Sequence, residues 1–449
     1  MIKITPITSF ELADFLGVER PEKDVLIKEI SVDTRECFGE NTCFVALDGK
    51  RFSGNDFLLE AVAKGAKCVI SSKKIAAPVS FVSVFDTKMA FLKLSSREIK
   101  NTKIIAVTGS VGKTTVKEMI ASVLSSQFKV CSTYSNHNNE IGVAQTLFSI
   151  KDEDFCVVEM GMRSLGEIEK LAMVCAPFIG VITNCGSSHI ELLGSQENIF
   201  LAKCELIKYV IHSVVIPFEE RFFKLNFGNL TPCFIGDGGN VKLGSVIGNE
   251  NSIIAEIIDK DNDKTLIAKI PSIFYHDATN ALFAYEVGNL CGVTDENITN
   301  GIMNFKKCSG RGQIIEIGPF EVIDDTYNAS FESSEQAIAS LAKYSSSVGK
   351  YSVLIMGDML ELGGFSSEYH RKIGELAKKY AIYEVVCFGR FSSFISEGFS
   401  GGTILNSFEE IVDFVLKKVP KNSVLLIKAS RSIGFEKIID DLKEKINED

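Results

Sequence analysis

The residues most able to do chemistry lie in "IIAVTGSVGKTTVKEMI", Ile104 to Ile120. A β-branched run meets Gly109 and Gly112, then Lys113, Thr114 and Thr115, and then passes into helical spacing. Glycines free the backbone to turn its amides toward phosphate oxygens, a lysine offers a point charge to the outer phosphates, and a threonine hydroxyl can join a Mg²⁺ shell. The helix beginning at Lys113 adds the positive end of its dipole. Val107 stands where the longer G-x-x-x-x-G-K-[ST] loop has its first glycine, so placement between strand and helix, more than the motif itself, argues for nucleotide binding.

Other groups line up behind this loop. "VVEMG" puts Glu159 at the end of an apolar run, where open α/β sheets hold their ligands. A carboxylate there suits Mg²⁺, or is simply a solvated strand end. "VITNCGSSHIELLGS" follows with His189, and a lone histidine is more often structural than a ligand. "FLAKCEL" sets Lys203 among Phe200, Leu201, Leu206 and Ile207. A lysine beside such a face ordinarily snorkels to water, and residue types alone do not select it.

The elements that must position these groups come next. From about 102 to 218, strands such as "KIIAVT", "FCVVEMG", "FIGVITN" and "SVVIP" alternate with helical periods, as in stacked βαβ units. Residues 219–270 read as an antiparallel appendage of short strands without a strong helix. Helical spacing at 276–292 and 295–305 precedes a second alternation, "FEVIDD", "YSVLIMGD", "EVVCFG", "GTILN" and "SVLLIKAS". The expected fold is α/β in three domains: a small mixed N-terminal domain (1–98), a central phosphate-loop, parallel-sheet ATPase domain with the antiparallel appendage (99–307), and a Rossmann-like C-terminal domain (308–449).

Composition narrows the classes of function. A length of 449 residues accommodates about three domains. The formal net charge of -10 argues against a nucleic-acid partner. No run approaches the roughly 18 apolar residues of a membrane span, and the first twenty residues lack a secretory apolar core. Twelve scattered cysteines without a C-x-x-C pair read as reduced thiols in the cytoplasm.

In sequence, "VTGSVGKTT", "YSNHNNEIGVAQTL", "EMGMRSLGEIEKLA", "ITNCGSSHIELLGS", "AKCEL", "HDATNALFA", "GRGQ", "DDTYNAS", "MGDMLELG" and "IKASRS" follow the motif order of the Mur ligases. The chain resembles this family of ATP-dependent amino-acid ligases of peptidoglycan synthesis over nearly its whole length. "NNEIG", "EMG" and "GDMLELG" resemble the member that joins D-alanyl-D-alanine to UDP-N-acetylmuramoyl-tripeptide, and the D-N-P-R motif of its neighbour is absent.

The resemblance implies roles for particular residues. Gly109, Ser110, Val111, Gly112, Lys113, Thr114 and Thr115 would hold the ATP phosphates. Thr114 and Glu159 would hold one Mg²⁺, and His189 would help hold a second. Lys203 would be a carbamylated, anionic ligand. Asn280 would approach the adenine, and Arg311 and Asp325 would close on ATP. Ser31, Asp33, Thr34 and Arg35 would recognise UDP, with Asn136, Asn139 and Arg163 along the sugar-peptide channel. A monomer is the family default.

The chain departs from the family pattern at Asp277 (commonly Asn), Ser330 and Phe331 (the Asn and Pro of "NANP"), Ala429 (Gly of "KGSR") and Ala144 (frequently Pro). Competing classes are a sister ligase with another acceptor, a phosphate-loop switch or motor, and a binding module with a vestigial loop. A switch would carry N-K-x-D or a longer Walker loop, and neither is present. The intact set of Lys113, Thr114, Glu159 and His189 argues against a vestige.

Overall fold

The computed structural model describes every residue except Cys37, Lys50, Arg51, Ile75, His189, Glu250 and Asp449, and also leaves out the side chain of Glu448. The candidate ligand His189 therefore lies outside the described residues. Three sheets carry the chain.

The first sheet runs Ile2–Thr8, Leu26–Ser31, Thr42–Val45, Cys68–Ser71, Ser80–Ser83. Its first pair is antiparallel and the rest are parallel. Helix Thr87–Ser95 starts where Asp86 accepts the amides of Lys88 and Met89, which satisfies two donors that have no carbonyl one turn back. It packs Phe91 against Phe148 of the central layer, with ring centroids 5.1 Å apart. Ile4 through Phe222 form one continuous core. The expected boundary near residue 98 thus separates sheets but not hydrophobic cores, because the first sheet is too small to bury its inner face alone.

The central sheet runs, edge to edge, Lys264–Ile270, Ile253–Asp259, Val241–Gly248, Thr231–Ile235, Ser213–Pro217, Ile179–Ile182, Lys103–Thr108, Phe155–Glu159, Val130–Ser132. Here the sequence reading of 219–270 needs correction. Thr231–Ile235 continues the parallel sheet beside Ser213–Pro217, and only the last three strands pair antiparallel. Those strands are seven and eight residues long. Alternate residues of Ile253–Asp259 face the core, so the segment is an integral edge of the sheet.

From Lys103–Thr108 the chain crosses to the edge strand Val130–Ser132, comes back to Phe155–Glu159 between them, and then passes to Ile179–Ile182 on the other side of Lys103–Thr108. That reversal opens a crevice at the carboxyl ends of the strands. Val107 pairs with Glu159 and Thr108 with Ile182, so the phosphate loop, Glu159 and the 183–188 segment share one edge.

The third sheet runs Gln313–Ile317, Phe320–Asp324, Ser423–Lys428, Tyr351–Met356, Glu384–Phe388, Thr403–Leu405, all parallel except the first pair. Every residue of Ser423–Lys428 is buried, the signature of a strand covered on both faces. Among the described residues, no helix is long and apolar enough to cross a membrane.

Candidate active site

Strand Lys103–Thr108 delivers the chain into a loop that needs glycine twice. Gly109 has φ +153°, and a Cβ there would sit 1.9 Å from Thr183 Oγ1. Gly112 has φ +83°, and its Cβ would meet Asn280 Oδ1 at 3.0 Å. Asn184 clamps the first half of the loop. Its carbonyl accepts Ser110 N–H at 3.1 Å, its side-chain oxygen accepts Val111 N–H at 2.9 Å, and its Nδ2 donates to the Val111 carbonyl at 2.8 Å. The Ser110 and Val111 amides are thus bonded to Asn184. The amides of Lys113, Thr114 and Thr115 head helix Lys113–Ser125 and have no carbonyl one turn back, so they and the helix dipole face an anion.

Lys113 Nζ donates to the Gly109 and Ser110 carbonyls at 2.7 and 3.2 Å, folded over its own loop. Desolvation lowers its pKa, Glu159 opposes that shift, and Arg311 adds to it. The hydroxyls of Thr108, Ser110 and Ser187 are buried without a partner among the described residues. Buried polar atoms ordinarily are paired, so unpartnered hydroxyls at the loop and the 183–188 segment, with the Lys113 ammonium, suit an anion such as a phosphate group.

Beneath the loop, Thr114 Oγ1 donates to Glu159 Oε2 at 2.8 Å. Asn138 Nδ2 donates to the other carboxylate oxygen at 2.8 Å, and Glu159 N–H donates to Thr133 Oγ1 at 3.0 Å. Glu159 is buried, so it is no solvated strand end. No group of three or more His, Cys, Asp or Glu is placed to hold a metal ion among the described residues. A hydroxyl and one carboxylate beside a phosphate cradle suit Mg²⁺, which takes few protein oxygens and completes its shell with phosphate and water.

Lys203 overturns the expectation that it snorkels. Helix Gln196–Cys204 carries it inward, and the residue is 1% exposed. Burial first, and then the nearby Lys113 charge, pushes its pKa down to about 7. Cys185 and Cys204 pull the other way, and no carboxylate among the described residues is among the causes of the shift. An amine held near neutrality in this way is a nucleophile at ordinary pH.

The third sheet closes the cleft. Thr114, Thr115 and Glu118 face Lys307, Cys308 and Arg311 across a pocket. The Arg311 guanidinium stacks 3.9 Å over the Tyr327 ring. Asp325 accepts from the buried Lys428 Nζ at 2.5 Å. Asn280 Nδ2 donates to Asp277 Oδ1 at 3.0 Å. Lys113, Thr114, Glu159, Asn280 and Arg311 thus converge on one crevice.

With this geometry in place, the chain can be set beside known proteins. A Mur ligase middle domain model matches residues 107–288, and a model described as Mur ligase, glutamate ligase domain matches 310–431. A UDP-N-acetylmuramoyl-tripeptide–D-alanyl-D-alanine ligase from Bacillus subtilis (strain 168) is 31% identical over 460 residues, covering 99% of each chain. The chain belongs to the Mur ligase family. A crystal structure of MurF from Acinetobacter baumannii superposes with a TM-score of 0.89 at 28% identity, covering 99% of this chain and 100% of that one. The MurF ligase from Thermotoga maritima in complex with ADP gives 0.84 at 27% identity, covering 94% and 98%.

As a Mur ligase, the chain accommodates its departures from the family motifs locally. Ser330 caps helix Phe331–Ser347 in a capping box with Ser333. Phe331 lies 4.9 Å from the Tyr369 ring. The Ala429 methyl fits because residue 357 is glycine, where a Cβ would sit 2.8 Å from it. Ala144 is buried within helix Glu140–Phe148.

The substrate candidates are more dispersed. Ser31 Oγ donates to the Asp33 carbonyl at 3.0 Å and also bonds Glu36. Arg35 grips Asp33 with two donors and holds its carboxyl down to about 2. The Thr34 carbonyl accepts Lys64 Nζ at 2.6 Å. All these bonds stay within the first sheet's layer. Asn139 caps helix Glu140–Phe148 through Gly142 N–H, and Asn136 is exposed. Arg163 approaches Glu361 of the third layer at 3.7 Å.

Sequence reasoning missed Asn184 and Asn138, although both sit inside quoted motifs, one and two residues from nominated or strand-end positions. It also passed over Lys117, Lys307 and Lys428, because a buried lysine is visible only once its partners are placed.

Proposed function

We propose that this chain is an ATP-dependent ligase that adds D-alanyl-D-alanine to UDP-N-acetylmuramoyl-tripeptide through an acyl phosphate. The observation that carries the reading is the Thr114–Glu159 pair lying directly beneath a phosphate loop whose lysine and helix amides face the same crevice. Full-length likeness to ligases of that name supports the substrates. Residues 1–98 would serve the UDP-sugar, 99–307 the ATP, and 308–449 would close over both. The protein would act as a cytoplasmic monomer.

In the first step the terminal carboxylate of the tripeptide attacks the γ-phosphorus, releasing ADP. In the second, the free amine of the dipeptide attacks the acyl carbon, and inorganic phosphate departs. Two anions must approach each other, and Lys113 with the amides of helix Lys113–Ser125 offsets their repulsion. Thr114 and Glu159 would hold a Mg²⁺, which when bound would supply further charge stabilisation of the transferring group. Asn138 fixes the Glu159 carboxylate in advance, and Thr133 holds the Glu159 backbone through its N–H. The Lys203 amine, its pKa lowered by burial, would add to CO₂ and give up a proton to become a carbamate, an oxygen ligand that together with His189 would hold a second Mg²⁺. Asn280, Arg311 and Asp325 bind the nucleotide, and closure of the third layer keeps water from the acyl phosphate. Ser31, Asp33, Thr34 and Arg35 recognise UDP, and Asn136, Asn139 and Arg163 border the peptide channel.

The test is a product analysis. Purified protein with ATP, Mg²⁺, the UDP-tripeptide and D-alanyl-D-alanine should yield a UDP-pentapeptide by mass, with sustained ADP release, beyond one per enzyme, only when both UDP-tripeptide and dipeptide are present. ADP release without pentapeptide would make the acceptor assignment wrong.

A further inference from the structure

Glu332 reaches from the third layer into the central one. It is the second residue of helix Phe331–Ser347, and its Oε1 accepts the Ser187 N–H at 2.6 Å. The start of that helix aims it. Ser330 and Ser333 cap each other's backbone, and Phe331 lies against Tyr369, which fixes the turn on either side of the carboxylate.

The approach is close enough to require glycine opposite. A Cβ on Gly186 would lie 2.8 Å from Glu332 Oε1 and 3.0 Å from its Cδ. The three heavy atoms nearest to that Cβ all belong to Glu332, and Gly186 is not among the glycines with positive φ. Glycine is needed here for the carboxylate and not for the backbone. Ser187 Oγ and Glu332 Oε2 are both buried without a partner among the described residues, so the seam is dry at this point. A charge-assisted bond out of water is a strong one.

The gripped segment matters to the site. Asn184, just upstream, sets the phosphate loop through Ser110 and Val111. Downstream, Glu191 N–H donates to the Glu361 carbonyl at 3.3 Å, and a Cβ on Gly363 would meet the Glu191 side chain at 3.2 Å. The third layer therefore holds this stretch at Ser187 and again at Glu191.

We propose that Glu332 is a positioning residue, a strap that seats the third layer over the phosphate loop and keeps water from the acyl phosphate. This rests on the reading of the cleft as a ligase site. Water that entered would bond to the acyl carbon and break its bond to the phosphate oxygen, giving carboxylate, inorganic phosphate and a proton. ATP would then be cleaved without product. The strap acts through the Gly186–Ser187 backbone and touches no substrate.

The experiment follows ADP release by the full chain with ATP, Mg²⁺ and UDP-tripeptide but no dipeptide, then ADP per pentapeptide with dipeptide added. Glu332→Ala should raise the release without dipeptide by about tenfold, the scale of losing a charge-assisted bond. ADP per pentapeptide should rise above the wild-type ratio. Glu332→Gln keeps an acceptor oxygen and should restore most of the coupling. Gly186→Ala displaces the carboxylate and should leak as Glu332→Ala does, yet add nothing in the Glu332→Ala background. A merely structural role would lower both rates together and leave ADP per pentapeptide unchanged. A leak at the wild-type level in folded Glu332→Ala, or a Gly186→Ala effect that persists in full without Glu332, overturns the inference alone. If Glu332→Ala does not fold, Gly186→Ala decides, and wild-type coupling in it overturns the inference. No ADP release by the wild type with any combination of these substrates overturns the ligase reading as well.

Discussion

Two lysines of the central layer, Lys117 and Lys203, are equally buried and differently used. Lys117 lies on the phosphate-loop helix, donates to the Thr133 and Ser135 carbonyls, and pairs with Glu118 at 2.7 Å. It ties that helix to the segment carrying Asn136, Asn138 and Asn139. Among the described residues no carboxylate acts on Lys203, and its strongest charged neighbour is another cation, Lys113. Burial with partners makes a pin, whereas burial beside a like charge makes a reactive amine.

The comparison breaks first at Lys203. Lys203→Ala should lower turnover on the order of 10³-fold, the scale of losing a charge-stabilising group at a transition state. A short-chain carboxylate added to the assay should restore part of the rate by replacing the carbamate. Failure of rescue, with nucleotide binding intact, would return Lys203 to a structural role.

Lys117→Met should act on stability rather than chemistry. Two buried carbonyls and Glu118 lose their partner, which should cost about 3 kcal/mol, read by urea denaturation. Turnover should fall less than in Lys203→Ala, and added carboxylate should have no effect. Rescue of Lys117→Met by carboxylate would erase the distinction between the two lysines.

The same contrast explains what could be read from the sequence. The phosphate loop, Glu159 and the alternation of strands and helices were legible, because local spacing dictates them. The helix at Lys113 and the strand ending at Glu159 fall where periodicity places them. Lys203 was visible only through family resemblance, since its local surroundings predict snorkelling and its burial depends on how helix Gln196–Cys204 packs. Asn184 was hidden for a related reason. Its partner, the Ser110–Val111 backbone, lies more than seventy residues earlier and meets it only through the register of Thr108 with Ile182. The interior strand Thr231–Ile235 was misassigned because parallel pairing to Ser213–Pro217 leaves no mark in a short run bounded by turns. Asp277 registered as a departure from a motif, and its pairing with Lys307 and Asn280 emerged only in the structure.

The central claim is that the crevice brings a carboxylate to the γ-phosphate. The most direct measurement supplies UDP-tripeptide labelled with oxygen-18 in its terminal carboxylate, together with ATP, Mg²⁺ and D-alanyl-D-alanine, and analyses the released phosphate by mass. The account predicts that one labelled oxygen passes into each phosphate, because the carboxylate oxygen that attacks phosphorus leaves with it. Product formation with unlabelled phosphate would contradict it.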